Sequence, residues 1–538
     1  MAPAKTIPTE RRHQHWNLSK AQAVSTGGIV TSQSAIAAAA GARALAAGGN
    51  AVDAAIVTAM ALHVTEPWSS GLGGGGFMLL DLPGKGAQAI NFSMRAAGDV
   101  DPARYPTTGT TRHGPFQWPL VVEERNTVGY DSILIPGAVD GFALALERFG
   151  TLSWGDALEY VIPLAEAGLP VGWYTSLAIA VEAHQIARFP HTRDVYLRGG
   201  CFVPVSESDG EKVHIEDPLM PDFLRRLQRN RARDFYGGEI GASIVADMQA
   251  GGRQWTLADL DSYRARLSVP EASPYRGFEL MGVPGLNGAP TVMRFFRQME
   301  GRHTPTGSAP APADYATFAA LMRELWEERY QSMGDDQTQD KCTTHVSVVD
   351  RHGGMASLTN TMGARFGSKV ALASTGLLMN NGMFWFDPEP GRTNSIGPGK
   401  WPLTNACPML ARRDGRPVLA LGAAGGRRVP PTVLQLLSFC IDYGMDLEAA
   451  FHTPRIDPVR LEAISCDHRL PVDAIEAIRR VAPVKVNENA VYPVMFACAG
   501  AVARDWATGR NSGMTTIDLP YATPVTEDEV RELDRADA

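Results

Sequence analysis

The chain has 538 residues, of which 44% are hydrophobic and 20% charged, with a formal net charge of −8. This is the composition of an ordinary globular protein, long enough for about two to four domains. Its acidic balance argues against a nucleic-acid-binding surface, which carries a basic excess.

The first residues, MAPAKTIPTERRHQHWNLSK, lack the apolar core of a secretory leader. His13 and His15 in this polar stretch read as solvated side chains. From Gln33 onward the sequence predicts two helices. Ser34 caps the first, which runs to Ala47; Gly48-Gly49-Asn50 breaks it; residues 51–64 form the second. The run is alanine-rich but holds Arg43, Asn50 and Asp53, so it predicts buried helix and not a membrane span. Glu66-Pro67-Trp68-Ser69-Ser70 leads into the glycines at 71 and 73–76 and a strand at 77–80. Those glycines formally match GxGxxG, but a dinucleotide site needs a strand before them and a helix after. The order here is reversed, and the match is set aside.

Helical periodicity returns from 137 to 168, and helices dominate to about Leu260. Arg225, Arg226, Arg229, Arg231 and Arg233 read as a solvated helix face. There is no GxxxxGK[ST], no GxSxG and no HExxH. The six cysteines, Cys201, Cys342, Cys407, Cys440, Cys466 and Cys498, form no CxxC pair and no zinc spacing. They read as reduced thiols of a cytoplasmic protein, with no metal, cofactor, membrane or nucleic-acid partner expected.

Between 301 and 340 the character changes. A Pro/Ala loop is followed by a predicted helix at 315–333 and a polar stretch, 334–340, that reads as an exposed loop. The period then switches to two. Thr344, Val346 and Val348 alternate with His345, Ser347 and Val349; a turn at 351–354 leads to a second strand at 355–361. A strand that begins at Thr343, just after a loop that can be cut away, is the layout an N-terminal nucleophile requires.

Four segments in this order resemble the gamma-glutamyltranspeptidase family. They are Gly27-Gly28 with the alanine-rich double helix and the glycines before Phe77; Thr343-Thr344-His345-Val346-Ser347-Val348-Val349-Asp350; Asn380-Asn381 with Pro402-Leu403; and Gly425-Gly426 with Arg428 and the apolar segment through Asp442-Tyr443-Gly444. The resemblance runs from about Gly27 to near the C-terminus. It implies the four-layer αββα sandwich of N-terminal-nucleophile hydrolases. It implies self-cleavage between Cys342 and Thr343 into a large chain, 1–342, and a small chain, 343–538, that remain one heterodimeric unit; two such units can pair further. It also implies that Thr361 hydrogen-bonds to Thr343 and that Gly425-Gly426 forms the oxyanion hole. The chemistry is coherent. A threonine hydroxyl needs a base beside it, and cleavage frees an α-amine with a pKa of about 8 that can take the hydroxyl proton. Glycines let two backbone N–H groups approach the oxyanion without a Cβ in the way.

The departures from the family pattern fall on substrate recognition. The positions that grip a donor α-ammonium hold Gly363, Gly382 and Trp385, and the Ser-Ser pair that holds the α-carboxylate is Thr404-Asn405. The carboxylate-binding arginine aligns on Ser93, with Arg95 two residues on as the nearest replacement. Met383, Phe384, Phe386 and Trp401 add aromatic and apolar surface around these positions, where an ammonium would be desolvated without compensation. The segment between Asp387 and Trp401 is too short for the lid that other members carry. Arg365, Lys369 and Arg427 are candidate partners for an anionic substrate or plain surface charges. The expected reaction is acyl transfer from a small-molecule amide to Thr343 and then chiefly to water, with a carboxylate-bearing acyl group that lacks the glutamyl α-amine. The alternatives are a genuine gamma-glutamyltransferase or glutathione hydrolase, and an unprocessed binding relative.

Overall fold

The computed structural model describes residues 18–111, 119–206, 213–332, 341–458, 462–487 and 496–536. His13, His15 and the polar loop 334–340 lie outside them, as does the side chain of Cys342. The alanine-rich segment forms the two expected helices. Ala35–Ala46 starts at Ser34, whose hydroxyl accepts from the Ala37 N–H. Ala51–Thr65 starts at Asn50, which shares a capping box with Asp53. Capping boxes of this kind satisfy the orphan donors of a first turn. Every residue of the second helix is buried, which explains its alanines: small side chains let it sit between its neighbours.

The strand after the glycine cluster is longer than expected, Gly75–Leu82. It begins inside the cluster because Gly76 lies against the Thr359 carbonyl, leaving no space for a side chain. The glycines therefore serve close strand packing. The hairpin after residue 340 forms as Lys341–Val349 and Met355–Ala364. Its first strand starts two residues before Thr343, because Lys341 and Cys342 continue the pairing with Ala364 and Gly363. The expectation that Thr343 opens the strand is corrected accordingly: in the uncut chain the strand runs through the Cys342–Thr343 bond.

Two seven-stranded sheets carry the fold. One runs Thr523–Thr526, Ile29–Ser32, Lys341–Val349, Met355–Ala364, Gly75–Leu82, Gly86–Phe92, Arg266–Ser268. The other runs Ala23–Ser25, Arg510–Thr515, Cys498–Asp505, Arg416–Ala424, Met409–Arg413, Phe278–Gly282, Glu271–Tyr275. Every strand pair in both sheets is antiparallel. Helices cover the outer faces. Val346, Val348, Met78 and Leu80 pack with the alanine-rich helices on one side. Met409, Leu419 and Leu421 pack with Ala289–Arg302, Pro312–Ser332 and Val429–Asp442 on the other. A third core, including Phe77, Leu79, Val349, Leu410 and Val502, fills the space between the sheets. This is the αββα arrangement, and its period-two alternation directs Thr343, His345 and Ser347 to the inter-sheet side. Among the described residues no helix is long and apolar enough to cross a membrane.

Candidate active site

The site is built on an irregularity of the hairpin. Thr344 pairs with Asn360, but Cys342 pairs with Gly363. Thr343 alone therefore faces both Thr361 and Met362, a β-bulge on the second strand. Bulges re-aim side chains and add local twist. Thr343 Oγ1 donates to Thr361 Oγ1 at 3.1 Å, and the Gly363 N–H donates to the same oxygen at 2.9 Å. The Thr361 N–H donates to Asn360 Oδ1 at 3.0 Å. Both threonines are buried.

The loop that follows the second helix wraps this end of the hairpin. Thr344 Oγ1 donates to Ser70 Oγ at 2.7 Å, the Met362 N–H to the Ser69 carbonyl at 3.2 Å, and the Phe366 N–H to the Trp68 carbonyl at 3.0 Å. Asn360 Nδ2 donates to the Gly71 carbonyl at 3.2 Å. From the other sheet, the strand Arg416–Ala424 ends in Gly425 at φ +142° and Gly426 at φ +61°. Both lie in the region that favours glycine. The 3₁₀ turn Gly426–Arg428 that they open packs against the strand Lys341–Val349.

Of the expected recognition residues, Gly363, Gly382 and Trp385 border one apolar cluster, while Thr404, Asn405 and Arg95 are tied to other partners. Gly363 adjoins Thr361, has φ +100°, and is backed by Asn381 and Phe384. Asn381 Oδ1 accepts the Ala364 N–H at 2.8 Å while its Nδ2 reaches the Thr127 carbonyl at 2.8 Å. Gly382 packs against Leu134 and Met94. Trp385 belongs to the same apolar cluster with Met383, Phe384 and Phe386, and it is 4% exposed. The ring next to Gly363 is thus Phe384, whose centroid lies 5.6 Å from that of Trp385. Thr404 and Asn405 are buried and tied to Arg329, whose Nη2 donates to the Thr404 carbonyl at 2.9 Å and to Asn405 Oδ1 at 3.0 Å.

Arg95 departs from its expected role. Its guanidinium donates to Ser262 Oγ at 2.5 Å and the Asp259 carbonyl at 3.2 Å, and it lies over the Tyr263 ring. Arg95 therefore does not replace the missing arginine. Trp401 is drawn to the same corner, beside Tyr263 and Arg266. Lys369 is buried and paired with Glu182 at 3.1 Å, and Arg427 is also buried; neither is a plain surface charge.

Three polar side chains here were given no role of their own by the sequence. Ser93, at the aligned arginine position, has a buried hydroxyl with no hydrogen-bond partner among the described residues. Glu66 is buried beside Ser69, its Oε2 is unpartnered among the described residues, and burial pushes its carboxyl up to about 8. His345 lies between the sheets, with Nδ1 3.0 Å from Thr359 Oγ1 and Nε2 2.9 Å from Ser347 Oγ. Burial lowers its pKa to about 3, so it stays neutral. Among the described residues no group of three or more His, Cys, Asp or Glu side chains is placed to hold a metal ion.

A family profile described as gamma-glutamyltranspeptidase matches residues 37–341 and 328–495. An "Acylase ACY 1 proenzyme" of Pseudomonas sp. (strain SE83) is 31% identical over 489 residues, covering 81% of this chain and 83% of that one. A "Glutathione hydrolase proenzyme" of Bacillus subtilis subsp. natto is 28% identical over 512 residues, covering 85% and 84%. The crystal structure of a cephalosporin acylase from Bacillus halodurans superposes with a TM-score of 0.80 over 97% of this chain and 99% of that one, at 23% identity.

Proposed function

The chain belongs to the gamma-glutamyltranspeptidase family and is an amide hydrolase or acyltransferase of that family, and from that premise we propose that it cuts its own Cys342–Thr343 bond and then uses Thr343 to deacylate a carboxylate-bearing amide lacking the glutamyl α-amine. The observation that carries this reading is the bulge that sets Thr343 Oγ1 against Thr361 Oγ1 at 3.1 Å.

In maturation, Thr343 Oγ1 attacks the Cys342 carbonyl carbon. The C–N bond breaks, the nitrogen takes the hydroxyl proton, and Cys342 is held as an ester on Thr343. Water cleaves the ester, leaving a carboxylate on Cys342 and a free α-amine and hydroxyl on Thr343. The products are a large chain, 1–342, and a small chain, 343–538. The word "proenzyme" in the names of both relatives supports this step.

In turnover the α-amine accepts the hydroxyl proton as Oγ1 attacks the substrate carbonyl, then passes it to the departing amine. Thr361 holds Oγ1 in place, because its own oxygen is fixed by the Gly363 N–H. The N–H groups of Gly425 and Gly426 receive the oxyanion. Water, activated by the same amine, then cleaves the acyl ester. The thiols of Cys201, Cys407, Cys440 and Cys466 support a cytoplasmic setting.

The donor assignment is supported by what stands at the clamp positions. Gly363, Gly382 and Trp385 offer no acceptor side chain, and the first two are closed in by Asn381, Phe384, Leu134 and Met94. The Ser93 hydroxyl, next to Met94, supplies a neutral donor in place of an arginine. The second reading, a glutathione hydrolase, is favoured by the name of one relative and would require another carboxylate, such as buried Asp387, to hold the ammonium. The test is the ratio of kcat/KM for a glutaryl amide and the matching gamma-glutamyl amide. This reading predicts at least equal turnover of the glutaryl amide. A ratio strongly favouring gamma-glutamyl replaces it with the second.

A further inference from the structure

The strand order determines what flanks Thr343. On one side are Met355–Ala364 and Gly75–Leu82, with Thr361 opposite Gly75. On the other are Ile29–Ser32 and Thr523–Thr526. Ser347 pairs with Thr31, Val349 with Ile29, and Ser32 with Thr523. Ser32 and Thr523 therefore point to the same end of the sheet as Thr343, and Tyr521 stands just beyond that end. Trp68 reaches the same end from the opposite flank, through the bond from the Phe366 N–H to its carbonyl.

Aromatic rings join these two flanks. Trp68 lies 6.4 Å from Phe366 and 6.2 Å from Tyr174, between centroids. Tyr174 and Trp173 each lie 5.9 Å from Tyr521. The row is graded: Trp68 is 4% exposed, Tyr521 38% and Trp173 48%. Tyr521 is held firmly. Its hydroxyl packs 2.9 Å from where a Cβ on Gly172 would be, leaving no space there for a side chain. Two large rings left half-exposed at the end of the sheet that carries Thr343 keep an apolar surface wet; such patches mark binding sites.

We propose that Trp173 and Tyr521 bind the amine half of the amide substrate, and that this half carries a flat aromatic ring. The inference rests on the reading above, which places the acyl half against Gly363, Asn381 and Phe384. Those residues lie on the Met355–Ala364 side of Thr343, so the leaving amine exits toward Tyr521. Ring faces reward a planar π-system through offset or edge contacts in a way that a flexible alkyl chain cannot match.

The experiment uses the whole self-processed protein and two substrates that share a glutaryl group, the 4-nitroanilide and the butylamide. Trp173→Ala should lower kcat/KM for the anilide about tenfold and for the butylamide less than about twofold, and Trp173→Phe should restore most of the loss. Tyr521→Ala should act in the same direction. An equal fall on both substrates, or none, overturns the proposal. A second arm needs no acyl group: 2-naphthylamine should bind the free protein, by saturation-transfer NMR, about tenfold more tightly in wild type than in Trp173→Ala. If neither glutaryl amide turns over while this binding difference holds, the donor assignment fails and the aromatic site stands. If both amides turn over and neither arm responds to Trp173, the aromatic site alone fails.

Discussion

A Cβ on Gly363 would stand less than 3.0 Å from Asn381 Oδ1, the atom that accepts the Ala364 N–H. Gly363 also has φ +100°, which side chains rarely adopt. The two residues are therefore coupled, because Asn381 fills the space that a side chain at 363 would need. A polar clamp cannot be rebuilt at 363 by substitution there alone.

Gly363→Ala should destabilise the protein by about 2–4 kcal/mol, from backbone strain and overpacking together. Asn381→Ala should relieve the overpacking but not the strain. In urea unfolding of the two single variants and the double, the double should be more stable than the sum of the singles by at least about 0.5 kcal/mol. Strict additivity would show that the two residues do not compete for space.

Thr361→Ala should fold and lose turnover by about 10²–10³, the size of one positioned hydrogen bond in a transition state. Thr361→Ser, which keeps the oxygen bound by Gly363, should recover most of it. Equal activity in wild type and Thr361→Ala would remove the positioning role.

Acid should weaken the fold through two buried histidines. Burial lowers His345 to about 3 and His63 to about 4, against 6.5 when exposed. Between those values the unfolded chain binds more protons than the native one, so stability is full above pH 6.5 and falls as pH drops toward 3. Each shift corresponds to about 3–5 kcal/mol over the whole window. Urea unfolding at pH 7, 5.5 and 4.5 should show the decline, and His345→Gln should make it shallower. An unchanged slope in His345→Gln would mean that the inter-sheet imidazole is not held neutral.

Glu66 acts in the opposite direction. Its folded pKa, raised by burial to about 8 from 4.5, means that the native state keeps a proton the unfolded chain loses. Its contribution is fully present below pH 4.5 and is lost as pH rises through 8. Glu66→Gln should match wild type near pH 4.5 and exceed it by about 2–5 kcal/mol at pH 8.5. No difference at pH 8.5 would show that Glu66 is ionised in the fold, with Arg365 as its partner.

The parts of this architecture legible in the sequence are those with a local period or a local cap. The double helix could be read from Ser34, the Gly48-Gly49-Asn50 break and the alanine run, and the hairpin from alternation on both sides of 351–354. The bulge opposite Thr343 was not legible, because a one-residue shift in pairing leaves the period of each strand intact. Nor was the fate of Arg95: its nearness to Ser93 in sequence says nothing of Asp259 and Ser262, which capture its guanidinium in space. Trp385 was expected to replace a substrate contact because it aligns with one; that Phe384 is the ring against Gly363 could not be read from that alignment. The aromatic row at 68, 173, 174 and 521 comes from three distant segments and has no sequence signature.

The most direct test of the account is the mass of the purified protein and the N-terminal sequence of its parts. The account predicts two chains that separate only on denaturation, with the smaller beginning at Thr343, and a single uncut chain for Thr343→Ala. A fully active wild-type protein that remains one chain, or a smaller chain beginning at another residue, would contradict it.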